Sequence, residues 1–409
     1  MPSCMHRSSP RCTRILARVR TQEKRLAALI ATLAFFDLAM WLTAIPLIPV
    51  WESELGLTHT QSGLVLGAYG VAVLFLSLPA GHLADRLGAR RLTIGATLLF
   101  AATAPLYAFA SSFEELLALR LVNGLFSAVS WTAGLAWLVA SVPGTYRGRT
   151  LAIVNATASA ASLVGPLIGG PLVAAIGLKP TMLGLGFAIL LLGIWALFEP
   201  NRGGHLPNEH TSAFAALRIG IREPGLVHAF AGIAFAASAM GMQQVLAPIH
   251  LSDLGLSSAD IGWIWTAGAA ISLAVAAFVG RRLDRIDKRA NARTGVLIVT
   301  VLSCFLALGL GVRPYAIGVI AVLGFGTLIW TTVYPLCSEA AERAGIGQGV
   351  AMGALNTVWA LASVVAPVSA GVLAELDLPG AGYVAIAALG MLCLWVLRQP
   401  ALAPSPGTA

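Results

Sequence analysis

Two ionisable side chains lie in apolar runs too long to keep water beside them. Asp37 sits inside LAALIATLAFFDLAMWLTAIPLIPVW and Arg120 inside LALRLVNGLFSA. A charge at the centre of a membrane helix costs about 2.5–3.5 kcal/mol on insertion scales, so both are read first as functional groups. A carboxylate can take up and release a proton. A guanidinium cannot neutralise, so it must find an anion, carbonyl groups or water. Counted from their helix ends at about 1.5 Å per residue, the two lie at similar depth, which makes Asp37 the expected partner of Arg120. The structural alternatives are an Asp37 that only holds helices together and an Arg120 that snorkels to an interface beside Glu114 and Glu115.

Helical spacing gathers further polar and aromatic side chains toward the same space. Trp41 lies one turn beyond Asp37, and Asn123, Ser127, Ser130 and Trp137 continue a stripe from Arg120. Asn155, Ser159 and Ser162 form a second stripe, and Thr327, Thr331, Tyr334 and Ser338 a third. Of the adjacent glutamines, Gln243 is the better placed for a cavity and Gln244 the worse. The expected lining is Trp41, Asn123, Ser127, Trp131, Trp137, Asn155, Gln243, Thr331, Tyr334, Asn356 and Trp359. Its aromatic faces suit lipophilic solutes, including cations drawn to Asp37.

The elements that must position these residues are membrane helices. Fifty-seven per cent of the 409 residues are hydrophobic and 11% charged, which excludes an ordinary water-soluble enzyme. Twelve runs long enough to cross a bilayer fall near 26–50, 60–80, 92–111, 114–141, 149–176, 181–198, 226–250, 260–279, 294–312, 315–338, 347–373 and 381–398. The net charge of +8 is not a nucleic-acid signature, because the basic residues occupy alternate loops. With the N-terminus in the cytoplasm, 23 of 26 Lys and Arg fall on the inner side and only Lys179 and Arg313 outside, leaving Arg120 in a span. Both termini are therefore expected inside, at the inner membrane. The parts read as a basic tail lacking structure (1–24), a first half (25–200), a polar linker (201–224), a second half (225–399) and a short tail (400–409). The five cysteines and the loop histidines show no metal spacing.

The two halves are copies. Adding 199 carries Pro49 onto Pro248, Gly63 onto Gly262, Gly81 onto Gly280, Asp85 onto Asp284 and Arg86 onto Arg285; adding 201 carries Asn155 onto Asn356, Pro166 onto Pro367 and Gly170 onto Gly371. The turn GHLADRLGARR, with its degenerate copy GRRLDRIDKR, sits between the second and third spans of such a doubled chain. In turn, span number and repeat, the chain resembles the major facilitator superfamily. That resemblance implies an all-α integral membrane fold, twelve transmembrane helices in two pseudo-symmetric six-helix bundles. It also implies a gate formed by Gly81, Asp85, Arg86, Gly88, Arg90, Arg91, Asp284 and Arg285. Gly81 would allow close helix contact, and Asp85 would face the positive end of the eleventh span. Arg120 resembles the embedded arginine of proton-coupled members. Gly165, Pro166, Gly169 and Gly170 match part of a motif associated with drug/proton antiporters, a kink and close-packing element. Glu339 and Glu342, at the inner end of the tenth span, are expected to pair with loop arginines.

No nucleophile beside a base, no phosphate-binding lysine loop and no metal cluster is found, so enzymatic and ATP-driven readings are set aside. The leading expectation is a monomer in the lipid bilayer that exports small lipophilic or cationic compounds in exchange for protons, with no cofactor beyond the coupling proton. Asp37 carries the proton, and rearrangement of the Asp37–Arg120 pair couples the two conformations. A facilitator or proton-coupled transporter of sugars or other polar metabolites is a second expectation, and a non-transporting scaffold or sensor a third.

Overall fold

The computed structural model describes residues 10–142, 144–200, 218, 223–283 and 285–399. Among them no strand occurs, and twelve helices are long and apolar enough to cross a membrane. In the first half these are α1 (Pro10–Thr43), α2 (His59–Leu87), α3 (Ala89–Thr103), α4 (Phe113–Ser141), α5 (Gly144–Ile176) and α6 (Leu178–Phe198). In the second they are α7 (Pro224–Asp253), α8 (Ser258–Gly280), α9 (Lys288–Leu306), α10 (Val312–Arg343), α11 (Gln348–Glu375) and α12 (Pro379–Arg398). The twelve apolar runs are all present. Several helices outrun them, because charged residues at a span's end can stay helical in the interface. The basic N-terminal segment differs from expectation, being helical from Pro10 as a continuation of α1. Its Arg, Leu and Ala residues are good helix formers. The expected linker lies largely outside the described residues.

The duplication is visible in local chemistry. Thr58 caps α2, accepting from the Gln61 backbone N–H at 3.2 Å while the Gln61 side chain accepts from the Thr58 N–H at 3.0 Å. Ser257 and Asp260 repeat this reciprocal cap at the start of α8. The prolines do not behave alike. Around Pro46 and Pro49, α1 stops and a short helix, Ile48–Leu55, restarts, whereas α7 runs through Pro248 unbroken.

The halves meet through α2 against α11 and α5 against α8. A Cβ added at Gly63 would strike the Pro367 carbonyl and come within 3.2 Å of the Gly371 Cα; one added at Gly262 would lie 2.6 Å from the Pro166 carbonyl and 3.0 Å from the Gly170 Cα. Gly63 and Gly262 are repeat mates, as are Gly371 and Gly170, so one backbone contact is used twice about the pseudo-twofold axis. It closes one end of the molecule. At the other end the halves stand apart: added Cβ atoms at Gly81, Gly280, Gly349 and Gly353 would meet nothing within 4 Å.

Candidate functional site

Between the halves lies a cavity of about 1570 Å³ that reaches the open end, where Gly81, Asp85, Gly88 and Gly349 line it. Of the expected lining residues, Trp41, Ser127, Trp131, Trp137, Asn155, Gln243, Tyr334, Asn356 and Trp359 are on its wall. Thr331 and Asn123 are not. Thr331 turns back to donate to the Thr327 and Leu328 carbonyls, and Trp330 takes the wall position beside it. Asn123 is buried behind the wall, where its Oδ1 lies 3.4 Å from the Arg120 NH1. A stripe of polar residues fixes a face only to within about one residue: Thr331 gives its place to Trp330, and Asn123 lies on the Arg120 side of its helix and not on the cavity side. Asp85 is the one charged side chain among the described lining residues, and no Lys, Arg or His joins it.

Asp37 is fully buried in α1, just outside that wall. Its Oδ2 accepts from the Ser127 hydroxyl at 2.7 Å and the Trp131 indole N–H at 2.9 Å, both on α4, and the Tyr69 oxygen, on α2, lies 3.5 Å from it. Tyr69 and Ser127 are themselves 2.7 Å apart, so with the Ser127 proton given to Asp37 the phenol donates to Ser127. Oδ1 has no hydrogen-bond partner. Trp41 stacks on Tyr69 at 5.4 Å and meets Trp359 edge-on at 6.5 Å, which ties this cluster to α11 across the cavity.

The expected Asp37–Arg120 ion pair does not form. Arg120 is fully buried, with Nε 3.4 Å from the Val65 carbonyl, its guanidinium 5.8 Å from the centre of the Tyr69 ring and a second phenol, Tyr107, beside it. Tyr69 thus contacts both charges and stands between them. It was missed because a lone phenol in an apolar run gives no periodic signal. Its depth, level with the two charges, was the available clue. Trp330 was legible in principle, since the 199 offset that carries Asp85 onto Asp284 also carries Trp131 onto Trp330.

The charged turn divides by role. Gly88 joins α2 to α3 at φ +88°, a conformation that favours glycine. Arg90 does not point at the other half: it donates to the Leu197 and Glu199 carbonyls, both at 2.7 Å, capping the end of α6. Its repeat mate Arg289 caps α12 through the Leu397 carbonyl at 2.6 Å and the Gln399 carbonyl. Glu199, buried beneath, accepts from Trp195 at 2.8 Å and pairs with Arg25 at 3.3 Å. Arg86, Arg91 and Arg285 are exposed, and Asp284 lies outside the described residues. Gly81 makes no close helix contact here because the halves have separated at its end. Glu339 pairs with Lys288 at 2.7 Å where an arginine was expected, and Glu342 accepts from Gln348 at 3.4 Å. In the α5 motif, an added Cβ at Gly165 would lie 2.7 Å from the Ala39 carbonyl of α1, and one at Gly170 2.9 Å from the Gly262 Cα of α8. Beside Pro166 the helix passes into a π-helical turn, Ile168–Leu172.

The Major Facilitator Superfamily profile matches residues 28–367 and 229–408, and the chain belongs to that family. Its members are transporters. An uncharacterised MFS-type transporter of Enterobacter sp. (strain 638) is 25% identical over 365 residues, 88% of this chain and 92% of that one. Shorter matches include the quinolone resistance protein NorA of Staphylococcus aureus (strain MRSA252), 30% identical over 31% of this chain and 32% of NorA. The MFS-type transporter ppzB of Metarhizium majus (strain ARSEF 297) is 37% identical over 34% of this chain, and the match spans 31% of its length. In fold the chain is similar to a bacterial homologue of the human lysosomal transporter Spinster, in an inward-facing unoccupied conformation, with a TM-score of 0.71 and 14% identity over 94% of this chain and 99% of the other.

Proposed function

We propose that this transporter exports small lipophilic or cationic organic compounds in exchange for protons, with Asp37 as the proton carrier. The observation that carries this reading is a fully buried carboxylate with no ion pair, held only by neutral donors, behind an aromatic cavity wall free of basic side chains among the described residues. Neutral donors leave the carboxyl free to take up and give back a proton, which a fixed counter-ion would resist. Tryptophan and tyrosine faces attract cations at about 0.5–2 kcal/mol each and accept apolar rings equally well. With both termini in the cytoplasm, as the loop charges favour, the open end faces the cytoplasm and the conformation is the one that loads solute for export. One carboxylate exchanging one proton for one monovalent cation moves no net charge, so the pH gradient drives that exchange and the membrane potential does not. No resident cofactor enters this mechanism, and a monomer suffices for it.

The polar α5 stripe would be the natural support for a sugar facilitator, but both of its hydroxyl donors are spent within the helix, and Asn155 keeps only its second amide N–H. Asn155 donates to the Leu151 carbonyl at 3.0 Å, Ser159 to Asn155 at 2.8 Å and Ser162 to Ser159 at 2.6 Å. The deciding experiment uses liposomes carrying an internal pH dye, an imposed pH gradient and tetraphenylphosphonium, a neutral aromatic drug and glucose as solutes. Proton movement triggered by the cation, and lost in Asp37→Asn, is the expected result. Glucose flux without proton movement, unchanged in Asp37→Asn, would refute the proposal.

A further inference from the structure

Asp37 is fully buried and is not on the cavity wall, so a solute in the cavity does not touch the carboxylate in this conformation. Its charge state must reach the solute through a residue that contacts both. Tyr69, Ser127 and Trp131 all touch both Oδ2 and the cavity wall, but Tyr69 and Ser127 are buried in it, whereas Trp131 is partly exposed and has the largest side chain to offer the solute. We propose that Trp131 converts the protonation state of Asp37 into the shape of the cavity. The carboxylate holds the indole against the wall and leaves room for solute; the carboxylic acid releases it, and the ring moves inward and displaces the solute. This rests on the proton-exchange reading above and supplies the competition between proton and solute that exchange requires.

Three observations support the mechanism. A hydrogen bond from the indole N–H to a carboxylate, here 2.9 Å, is roughly twice as strong as one to a neutral oxygen, so protonation weakens the tether selectively. Oδ1, which has no hydrogen-bond partner, is the free position for the incoming proton. A π-helical turn, Ser130–Gly134, interrupts α4 at Trp131, and such turns break the helical hydrogen-bond ladder where side chains must move. The charged and titratable groups facing Asp37 are Tyr69 from α2 and Arg120 from α4. The α5 helix, packed along α1, carries none between Thr150 and Ile176, and at the end of α6 Glu199 is paired with Arg25. Trp330 provides an internal control, because it lines the cavity at the repeat-related position with Ala236 where Asp37 has its mate.

The test is equilibrium binding of tetraphenylphosphonium to the purified full-length protein across about three pH units. For wild type, linkage predicts that Kd rises toward about tenfold per unit as pH falls through the titration of Asp37. Asp37→Asn flattens the profile. Trp131→Phe removes the N–H and keeps a ring, so whatever its affinity at alkaline pH it should lose most of the acid weakening. Trp330→Phe should keep the wild-type slope, and Ser127→Ala, which removes a buried donor, should move the profile along the pH axis with its slope intact. A full slope in Trp131→Phe together with a flat Asp37→Asn overturns the role of Trp131 and leaves proton exchange standing. A slope that survives in Asp37→Asn removes the proton reading and this inference with it. If Trp131→Phe binds nothing, Trp131→Tyr, which restores a ring-borne donor, should recover binding and slope; loss of binding in both variants would make the indole a direct ligand and overturn the proposal.

Discussion

The closed end should yield to a single methyl group. In Gly63→Ala the new Cβ meets the Pro367 carbonyl and lies 3.2 Å from the Gly371 Cα; in Gly262→Ala it lies 2.6 Å from the Pro166 carbonyl and 3.0 Å from the Gly170 Cα. These are backbone atoms, so no rotamer change relieves the clash. Overpacking of this kind costs about 1–3 kcal/mol, charged only to the conformation closed at that end. The gain in helix propensity, about 1 kcal/mol for Gly→Ala, is common to all conformations and cancels. Each variant should therefore shift the equilibrium away from this conformation by about 5- to 150-fold. The two sites lie on different helix pairs, so the double variant should shift it by the product. Spin labels at the exposed Ser53 and Leu376, which flank the closed end on opposite halves, would report it as growth of a longer-distance population. Gly81→Val is the contrasting perturbation. It meets empty space here, so it costs nothing in this conformation and should favour it if the halves close over Gly81 in the other. An unchanged distance distribution in the Gly63→Ala, Gly262→Ala double variant would refute the view that these contacts form the seal.

Arg120→Met should leave thermal stability unchanged or raised, by up to about 1–4 kcal/mol, because it replaces a buried guanidinium that lacks an ion pair by an apolar chain of similar length. Transport by the folded variant should still respond to the pH gradient, because no ion pair joins Arg120 to Asp37, and loss of that response would return Arg120 to the mechanism. Arg90→Ala and Arg289→Ala should each lower stability by about 1.5–3 kcal/mol through lost charged hydrogen bonds to helix-end carbonyls, nearly additively in the double variant, whereas Arg91→Ala at an exposed site should not; thermal unfolding of wild type and these four variants checks this.

Most of the architecture was legible because a lipid solvent leaves few solutions. Twelve apolar runs and a repeat at offsets of 199 and then 201 residues fix span number and the doubling of the chain, whereas the glycine contacts that seal the halves at Gly63 and Gly262 were not foreseen. What sequence could not supply was the partner of each buried charge. Equal depth made Asp37 and Arg120 a plausible pair, yet depth fixes only one coordinate; the rotation of α2, which inserts Tyr69 between them, depends on packing that no spacing records. Likewise Arg90, in a motif read as a gate, satisfies the carbonyls of its own bundle, because the nearest unsatisfied acceptors are the last turn of α6.

The repeat is retained in the mechanical parts and erased in the chemical ones. Caps at Thr58 and Ser257, seals at Gly63 and Gly262, and helix-end clamps at Arg90 and Arg289 come in pairs, as does the cavity tryptophan, Trp131 and Trp330. The acid cluster does not, since the 199 offset takes Asp37 to Ala236, Tyr69 to Gly268 and Ser127 to Gly326. Symmetry in the seal and the clamps is what alternating motion of two like bodies needs, while one carrier site needs only one half. A second carboxylate placed by Ala236→Asp would therefore find neither the phenol nor the hydroxyl that hold Asp37. Because Ala236 lines the cavity, the new carboxylate would face that space at little cost in stability and should add no coupled proton. Proton-to-solute stoichiometry measured in liposomes should stay at the wild-type value. A rise by one proton would show that a carboxylate at the cavity suffices as a carrier, and that the donors around Asp37 are dispensable.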